Sequence, residues 1–374
     1  IKKVCDCVVE PGNITGRNAQ ENGPEIIVAT MDTPWFSEIM PEAVLPAVEK
    51  IRDAQGVGRW EAYLHQISDN SFCIIGADRR GTVFGIYDLS EQIGVSPWYF
   101  WADVPVRKKK RFAFSNDYSK ADWPDVQYRG IFLNDEEELD AWSKIHTKDD
   151  TIGPETYAHI FELLLRLKAN YIWPAMHVNY FNSDPENGRL AEKMGIVVGT
   201  SHCDMLLRSN QNEWTPWLKK KNYENIRYDY SLSGENREII QEYWAESVEM
   251  NRNYEVCYTV GMRGIHDSGF VTEVIDQDTS LTQSERTEKK IHLLEKVISD
   301  QREILKEVLG EEKGNSVPQT FIPYKEVLDL YDGGLQVPED VTLIWVDDNF
   351  GYMRRYPGKE EQERKGGNGL YYHA

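Results

Sequence analysis

No stretch of the 374-residue chain comes near the roughly 20 consecutive apolar residues that a membrane-spanning helix needs. Basic residues are in short supply: Lys and Arg number 42 against 62 Asp and Glu, a net charge of −20. So acidic a surface repels phosphate backbones and anionic lipid heads, which argues against nucleic-acid and membrane partners. The one basic run, Arg107-Lys108-Lys109-Lys110-Arg111, reads as a solvated linker rather than a nucleic-acid patch. Cysteine is scarce as well. Cys5, Cys7, Cys73, Cys203 and Cys257 are odd in number, scattered and without a CxxC pair, so they suit buried thiols better than a disulfide framework or a zinc knuckle. Low-complexity tracts are missing, and 40% apolar with 28% charged residues is the balance of an ordinary globular protein. The chain opens on Ile1 rather than Met, so sequence upstream is expected.

What is present falls into two parts. Up to about Asp117, short apolar runs (Glu25 to Ala29, Phe72 to Gly76) alternate with helical stretches (Glu42 to Gln55, Thr82 to Gln92), the pattern of a small α/β domain over residues 1–118. From Val126 a strand-then-helix rhythm takes over, as in parallel strands joined by crossover helices. Its strands are expected over Tyr128 to Leu133, Tyr171 to Met176, Ile196 to Gly199, Glu255 to Gly261, Gln319 to Tyr324, Leu343 to Val346 and Leu370 to His373. Helices are expected over Thr156 to Ala169, Glu235 to Met250 and Ser284 to Leu309. The reading is a (β/α)8 barrel of the TIM type over residues 119–374, incomplete at its C-terminus, because seven strands are found where closure needs eight. More sequence is therefore expected downstream.

Most of these strands run into chemically capable residues, as barrel active sites require. Asp135, Asp267, Glu326 and Asp347 are carboxylates at strand ends, and glycoside hydrolysis uses one acid and one base or nucleophile. Helix caps and salt-bridged loops are the competing reading for each. Glu326 follows the stiff Pro323-Tyr324-Lys325, which is expected to hold it under apolar and aromatic cover. Arg263, between Gly261 and Gly264, could grip a ligand carboxylate through its planar fork, or pair with Asp267 or Asp135. Trp173 is the best-placed aromatic for stacking on a sugar. His202, His266 and His373 with Asp347 could be taken for a metal site, but the first strand carries Asn134-Asp135 instead of a His-x-His pair, and no metal or cofactor is expected.

Longer strings carry a resemblance. Ile75-Gly76-Ala77-Asp78-Arg79-Arg80-Gly81-Thr82-Val83-Phe84-Gly85 and Gly94-Val95-Ser96-Pro97-Trp98-Tyr99 resemble the N-terminal domain of glycoside hydrolase family 115. Arg129 to Glu137, Leu164 to Met176, Gly199 to Cys203, Val260 to Gly264, Pro323 to Val327, Asp347 to Tyr352 and Tyr371-Tyr372-His373 are similar to its barrel motifs. The resemblance runs from about Phe72 onward. It implies a xylan α-1,2-glucuronidase that removes (4-O-methyl)glucuronic acid with inversion and without a metal, cut within the barrel and followed by further domains. It places Glu326 on the catalytic acid, and Asp135, Trp173, His202, Arg263, Asp267, Asp347, Asn349 and His373 in the substrate pocket. Asp135, Asp267 and Asp347 are the candidates for the base. A polysaccharide or oligosaccharide bearing glucuronic acid is the expected partner, secretion or a periplasmic location follows from that substrate, and a homodimer through later domains stays open. Departures at His177, Asp204 and Ile265-His266-Asp267 are expected on the pocket rim and bear on specificity. A non-catalytic uronate-binding homologue and a metal-dependent barrel hydrolase are the alternatives.

Overall fold

A computed structural model describes residues 25–68, 71–109, 112–134 and 136–373, so Cys5, Cys7 and Asp135 lie outside the described residues. The chain forms two compact units, one taking in the residues up to Gly130 with Ala158–Tyr171, the other Ile131–Tyr157 with Ile172–Ala374.

The first unit is built on a four-stranded sheet of β1 (Glu25–Thr30), β2 (Tyr63–Ser68), β3 (Ser71–Gly76) and β4 (Ser119–Asp122), in the order β1-β3-β2-β4. β3 is parallel to β1 and antiparallel to β2, which is antiparallel to β4. Alternation along β3 feeds two cores: Cys73 and Ile75 join Ile27, Val44, Ile51 and Leu64, while Ile74 joins Leu89, Ile93 and Val95. The helix α1 (Arg79–Gln92) starts where the Asp78 side chain accepts from the Gly81 amide, three residues before the expected start. It packs tightly because residue 81 has no Cβ; one there would sit 2.1 Å from the Ala62 carbonyl oxygen. The helix expected over Glu42 to Gln55 is instead a 3-10 helix over Glu42–Ile51. Pro46 inside it offers no amide for an α-helical bond.

In the second unit seven strands follow one another in sequence order. β5 (Gly130–Phe132), β6 (Tyr171–Trp173) and β7 (Val197–Val198) form one ladder, and β8 (Tyr258–Thr259), β9 (Gln319–Phe321), β10 (Thr342–Val346) and β11 (Asn368–Tyr371) another. A parallel bridge between Val198 and Val256 links the two, and β8 to β11 are parallel throughout. Strands buried on both faces need continuous apolar runs, and Leu343-Ile344-Trp345-Val346 is one. Phe132 on the first strand and Tyr371 on the last meet edge to face at 5.7 Å, so the run of strands curls back toward its start. Among the crossover segments are α2 (Glu137–His146), α3 (Pro154–Arg166), which from Ala158 on is counted with the first unit, α4 (Pro185–Met194), α5 (Trp214–Lys221), α6 (Glu235–Asn251) and α7 (Gln283–Leu309). α7 opens on a capping box, Thr282 with Glu285, and buries Ile291, Leu294, Val297, Ile298, Gln301, Ile304, Leu305 and Leu309 along one stripe. Each such aliphatic side chain contributes about 1.5–3 kcal/mol when taken out of water.

The two units handle buried charge differently. In the first, Glu61 is wholly buried but meets Arg80 at 2.5 Å, Arg129 at 2.6 Å and the Asn170 amide at 2.6 Å. In the second, Glu136, Asp204 and Glu213 are all buried. Glu136 accepts from the Met176 and His177 amides, and Glu213 faces Arg208 at 2.8 Å. Among the described residues, the Asp204 carboxyl accepts only from the Asn210 amide, at 3.1 Å. Burial, helped by the charges of Glu213 and Glu136 and opposed by the Asn210 N–H, pushes Asp204 up to about 8. Burial likewise carries Glu213 up to about 7 against the pull of Arg208.

Two stability tests follow from these carboxyls. Glu61→Gln leaves two guanidinium groups without their counter-charge and should lower unfolding free energy by about 3–5 kcal/mol in urea titrations; a loss below about 1 kcal/mol would mean that the pairs are energetically idle. Asp204 and Glu213 favour the folded state while protonated. Their contribution is whole below about pH 4 and is lost as pH climbs through about 7 to 8. The urea midpoint should therefore fall on the alkaline side, and Asp204→Asn should flatten that fall. A variant that tracks the wild type across this range refutes the assignment.

Candidate active site

At the carboxyl end of β8 the chain turns at Gly261, whose φ of +118° is open to glycine and strained for other residues. The buried Gln301 of α7 clamps this turn from both sides, its amide bonding the Gly261 N–H and carbonyl at 2.7 Å each. The clamp fixes where Arg263 emerges. Arg263 is 2% exposed, its Nη1 donating to the Tyr324 carbonyl at 3.0 Å and to Glu326 Oε2 at 3.1 Å. Its Nε lies 2.6 Å from Asp267 Oδ1, an ion pair without hydrogen-bond alignment.

Asp267 is the junction of the cluster. Lys325 Nζ reaches its Oδ2 at 2.8 Å and His202 Nε2 stands 3.4 Å from its Oδ1. Burial alone would raise this carboxyl, but His202, Lys325 and Arg263 together hold it far below the usual carboxylate range. The same contact holds the Lys325 ammonium above its ordinary value. Burial pushes the His202 imidazole down, against the opposing pull of Asp267, so it is neutral at physiological pH. Its ring lies 4.1 Å from that of Tyr324.

Glu326 stands at the first turn of α8 (Glu326–Asp332), just after Lys325, whose backbone φ is +50°. Its Oε1 accepts from the Phe270 amide at 2.8 Å. The apolar cover expected over this carboxyl is missing: its side chain is 41% exposed, although Phe321 to Tyr324 just before it are buried. Lys325 does not face it either, being drawn to Asp267.

The last two strands bring a second group. Asp347 is buried with both oxygens filled, Oδ1 by the Asn349 amide and the His373 ring, Oδ2 by the amides of Gly351 and His373. His373 Nε2 lies 2.9 Å from the Tyr371 hydroxyl. The Asn349 amide group meets the Tyr324 hydroxyl at 3.0–3.1 Å, which ties this group to the first. Trp173, expected to meet a ligand, is 6% exposed and packs against Phe132 and Tyr371 at 5.5 and 5.2 Å. Its ring thus packs with residues of the first and last strands of the run.

Asp204, expected on the rim, is instead buried. His177 and His266 do lie together, their rings 5.3 Å apart, with His266 Nδ1 on Gln211 at 2.5 Å. The histidines weighed for a metal are thus dispersed over separate partners. Among the described residues, the grouping with metal-ligand spacing is His202, Cys203 and Asp267. It suits a cation poorly, since two fixed cations already occupy Asp267 and burial holds the Cys203 thiol protonated.

Sequence reasoning passed over Tyr324, Lys325 and Tyr371 as site residues, and Asn210 altogether. Asn210 is fully buried; its side-chain amide donates to the carbonyls of Cys203 and Gly264 at 3.0 Å and accepts from the His266 amide at 3.2 Å. It joins the loop of His202 to the loop of Arg263 and Asp267. The first three could have been found as polar groups inside the strand-end strings; Asn210, well beyond its strand, carries no local signal. Non-glycine residues with positive φ gather on these same loops: Leu206, Leu207, His266, Asp267, Lys325 and Asn349.

The sequence pattern of glycosyl hydrolase family 115 matches residues 121–374. Among solved structures, a family GH115 4-O-methyl-α-glucuronidase, BtGH115A, with specificity for decorated arabinogalactans, is 37% identical with a TM-score of 0.76. The alignment covers 93% of this chain and 43% of that one, so the chain spans less than half of that protein's length. A GH138 enzyme targeting pectin rhamnogalacturonan II stands much further off, at 13% identity and a TM-score of 0.45 over 86% of this chain and 38% of that one. No curated protein matches. Pattern and structure agree over most of the sequence, and the chain belongs to glycoside hydrolase family 115.

Proposed function

We propose that this chain carries the chemistry of an inverting α-1,2-glucuronidase that releases (4-O-methyl)glucuronic acid from xylan or a related decorated polysaccharide, and that its seven consecutive strands are most of a (β/α)8 barrel. Family membership supports the reaction class. The observation that carries the reading is the buried Arg263 guanidinium at a strand end, beside a half-exposed Glu326 and backed by neutral His202. A uronate carboxylate finds there the planar donor that suits it, and Asn349 with the Tyr324 hydroxyl offers partners for ring hydroxyls. Such polymers are met outside the cell, which favours an extracellular or periplasmic enzyme.

In this reading Glu326 gives its proton to the glycosidic oxygen as the bond to the anomeric carbon breaks, and water attacks from the opposite face after losing a proton to a base. Asp267 is a poor base, because three basic groups stabilise its charge. Asp347 is equally committed, both oxygens being taken by the loop it organises. Asp135 is therefore the first carboxylate to replace in a search for the base.

Glu326→Gln keeps the shape and removes the transferable proton. We expect a loss on the order of 10²–10⁴ in kcat on glucuronoxylo-oligosaccharides, with much of it recovered on an aryl glucuronide whose leaving group needs no proton. Equal losses on both substrates would make Glu326 the base, and no loss on either would return it to a structural role. Arg263→Lys keeps the charge but loses the fork, and calorimetric binding of glucuronic acid should weaken by about 1.5–3 kcal/mol; unchanged affinity removes Arg263 from the uronate site. Release of glucuronic acid from glucuronoxylan and from decorated arabinogalactan, compared side by side, tests the reading itself.

A further inference from the structure

Beyond β10 the chain makes a loop whose backbone is held by two carboxylates. Asp347 accepts from the amides of Asn349 and Gly351, each at 3.1 Å, and Asp348 Oδ1 accepts from those of Phe350 and Tyr352 at 3.0 and 3.1 Å. Four consecutive N–H groups are thus tied down. The Asp348 amide closes the loop on the Tyr352 carbonyl at 2.9 Å, and Met353 bridges back to Asp347. Gly351, at φ +83°, leaves room for the Tyr372 hydroxyl, which would stand 2.8 Å from a Cβ there.

A loop bound this firmly would be expected to tuck its apolar side chains away. It does the reverse. Phe350 is 83% exposed and Tyr352 73%, and neither ring contacts another ring among the described residues. Large exposed aromatics fixed on a rigid backbone are costly in water unless something covers them, and their rigidity means that covering them loses little conformational entropy. The chemistry that fits is a surface of C–H bonds edged with hydroxyls, the face of a neutral pyranose, since the rings bring no charge and the Tyr352 hydroxyl can bond a sugar oxygen. Position settles which sugar. Asn349, the residue before Phe350, has its amide on the Tyr324 hydroxyl, and Tyr324 lies against both His202 and Arg263. The platform starts one residue from the pocket.

We infer that Phe350 and Tyr352 form a glycan-binding platform that holds the main chain of the polysaccharide whose uronate branch enters the Arg263 pocket. This rests on the glucuronidase reading, so the test separates the two. In the full enzyme, Phe350→Ala and Tyr352→Ala should each raise KM for glucuronoxylan or decorated arabinogalactan by about tenfold, about 1.4 kcal/mol. Activity on an aryl α-glucuronide, which has no main chain, should stay within about twofold. Phe350→Trp should restore the polysaccharide KM. Equal losses on both substrates, or no loss on either, overturn the platform. An independent arm needs no turnover: electrophoresis through gels containing the polysaccharide should retard the wild type and not the alanine variants. Should the wild type release no glucuronic acid from any substrate, the glucuronidase reading fails, and retardation that is absent, or equal in wild type and variants, overturns the platform on its own. Thermal melts of both variants within about 2 °C of wild type are expected; a larger drop would assign the rings to packing and overturn the proposal.

Discussion

One carboxylate, Asp267, holds together groups that would otherwise repel. Arg263 and Lys325 are both cationic, yet they and His202 all converge on its two oxygens. The hub keeps Lys325 away from Glu326 and aims the Arg263 fork along a fixed direction, while burial, against the pull of the hub, keeps His202 neutral. Its own backbone and that of His266 are in the left-handed region, held there by Asn210 from the neighbouring loop. The geometry at the strand ends is therefore a network property. Gln301 fixes Gly261, Gly261 directs Arg263, and the Asn210 amide locks the loop that carries the hub.

Beneath this lies a different electrostatic arrangement. The chain has twenty more acidic than basic charges, and its second unit still buries Glu136, Asp204 and Glu213, of which Glu213 is paired with Arg208. Ion pairing cannot neutralise all of them; protons supply part of the balance. The first unit settles a similar problem with two guanidinium groups around Glu61. A core balanced by protons is tied to pH on the alkaline side, where those protons are lost.

Much of this was legible in the sequence, and the limits are physical. Apolar runs ending in polar residues mark the strands of the second unit, most plainly β6 to β10, which are largely buried and have nowhere to put polar side chains, whereas β5 and β11 are partly exposed. The ladders are shorter than those runs, as between Tyr258–Thr259 and the expected Glu255 to Gly261, since apolar residues continue into the loops that line the interior. β2 went unread because His65 and Gln66 break the pattern, His65 being fully buried with its ring nitrogen on the Gly85 carbonyl. Arg263, Asp267, Glu326, His202 and Asn349 were readable as polar groups at strand ends, and the fold brings them together. Their mutual pairing was not, because who meets whom is decided by loops from different strands. Trp173 was readable as an aromatic at a strand end, but its packing against Phe132 and Tyr371, from the first and last strands, was not.

The left-handed residues on the site loops have a consequence for how such a protein can change over time. At His266, Asp267, Lys325 and Asn349 any replacement is judged first by its backbone cost, which β-branched residues bear worst and glycine or asparagine least. Side-chain chemistry is screened only afterwards. Innovation in substrate choice is then cheapest at neighbours with ordinary backbone, such as His177 or Gln211, where a new side chain is free of that first filter. The cluster around Asp267 would be inherited nearly whole while the residues around it diversify.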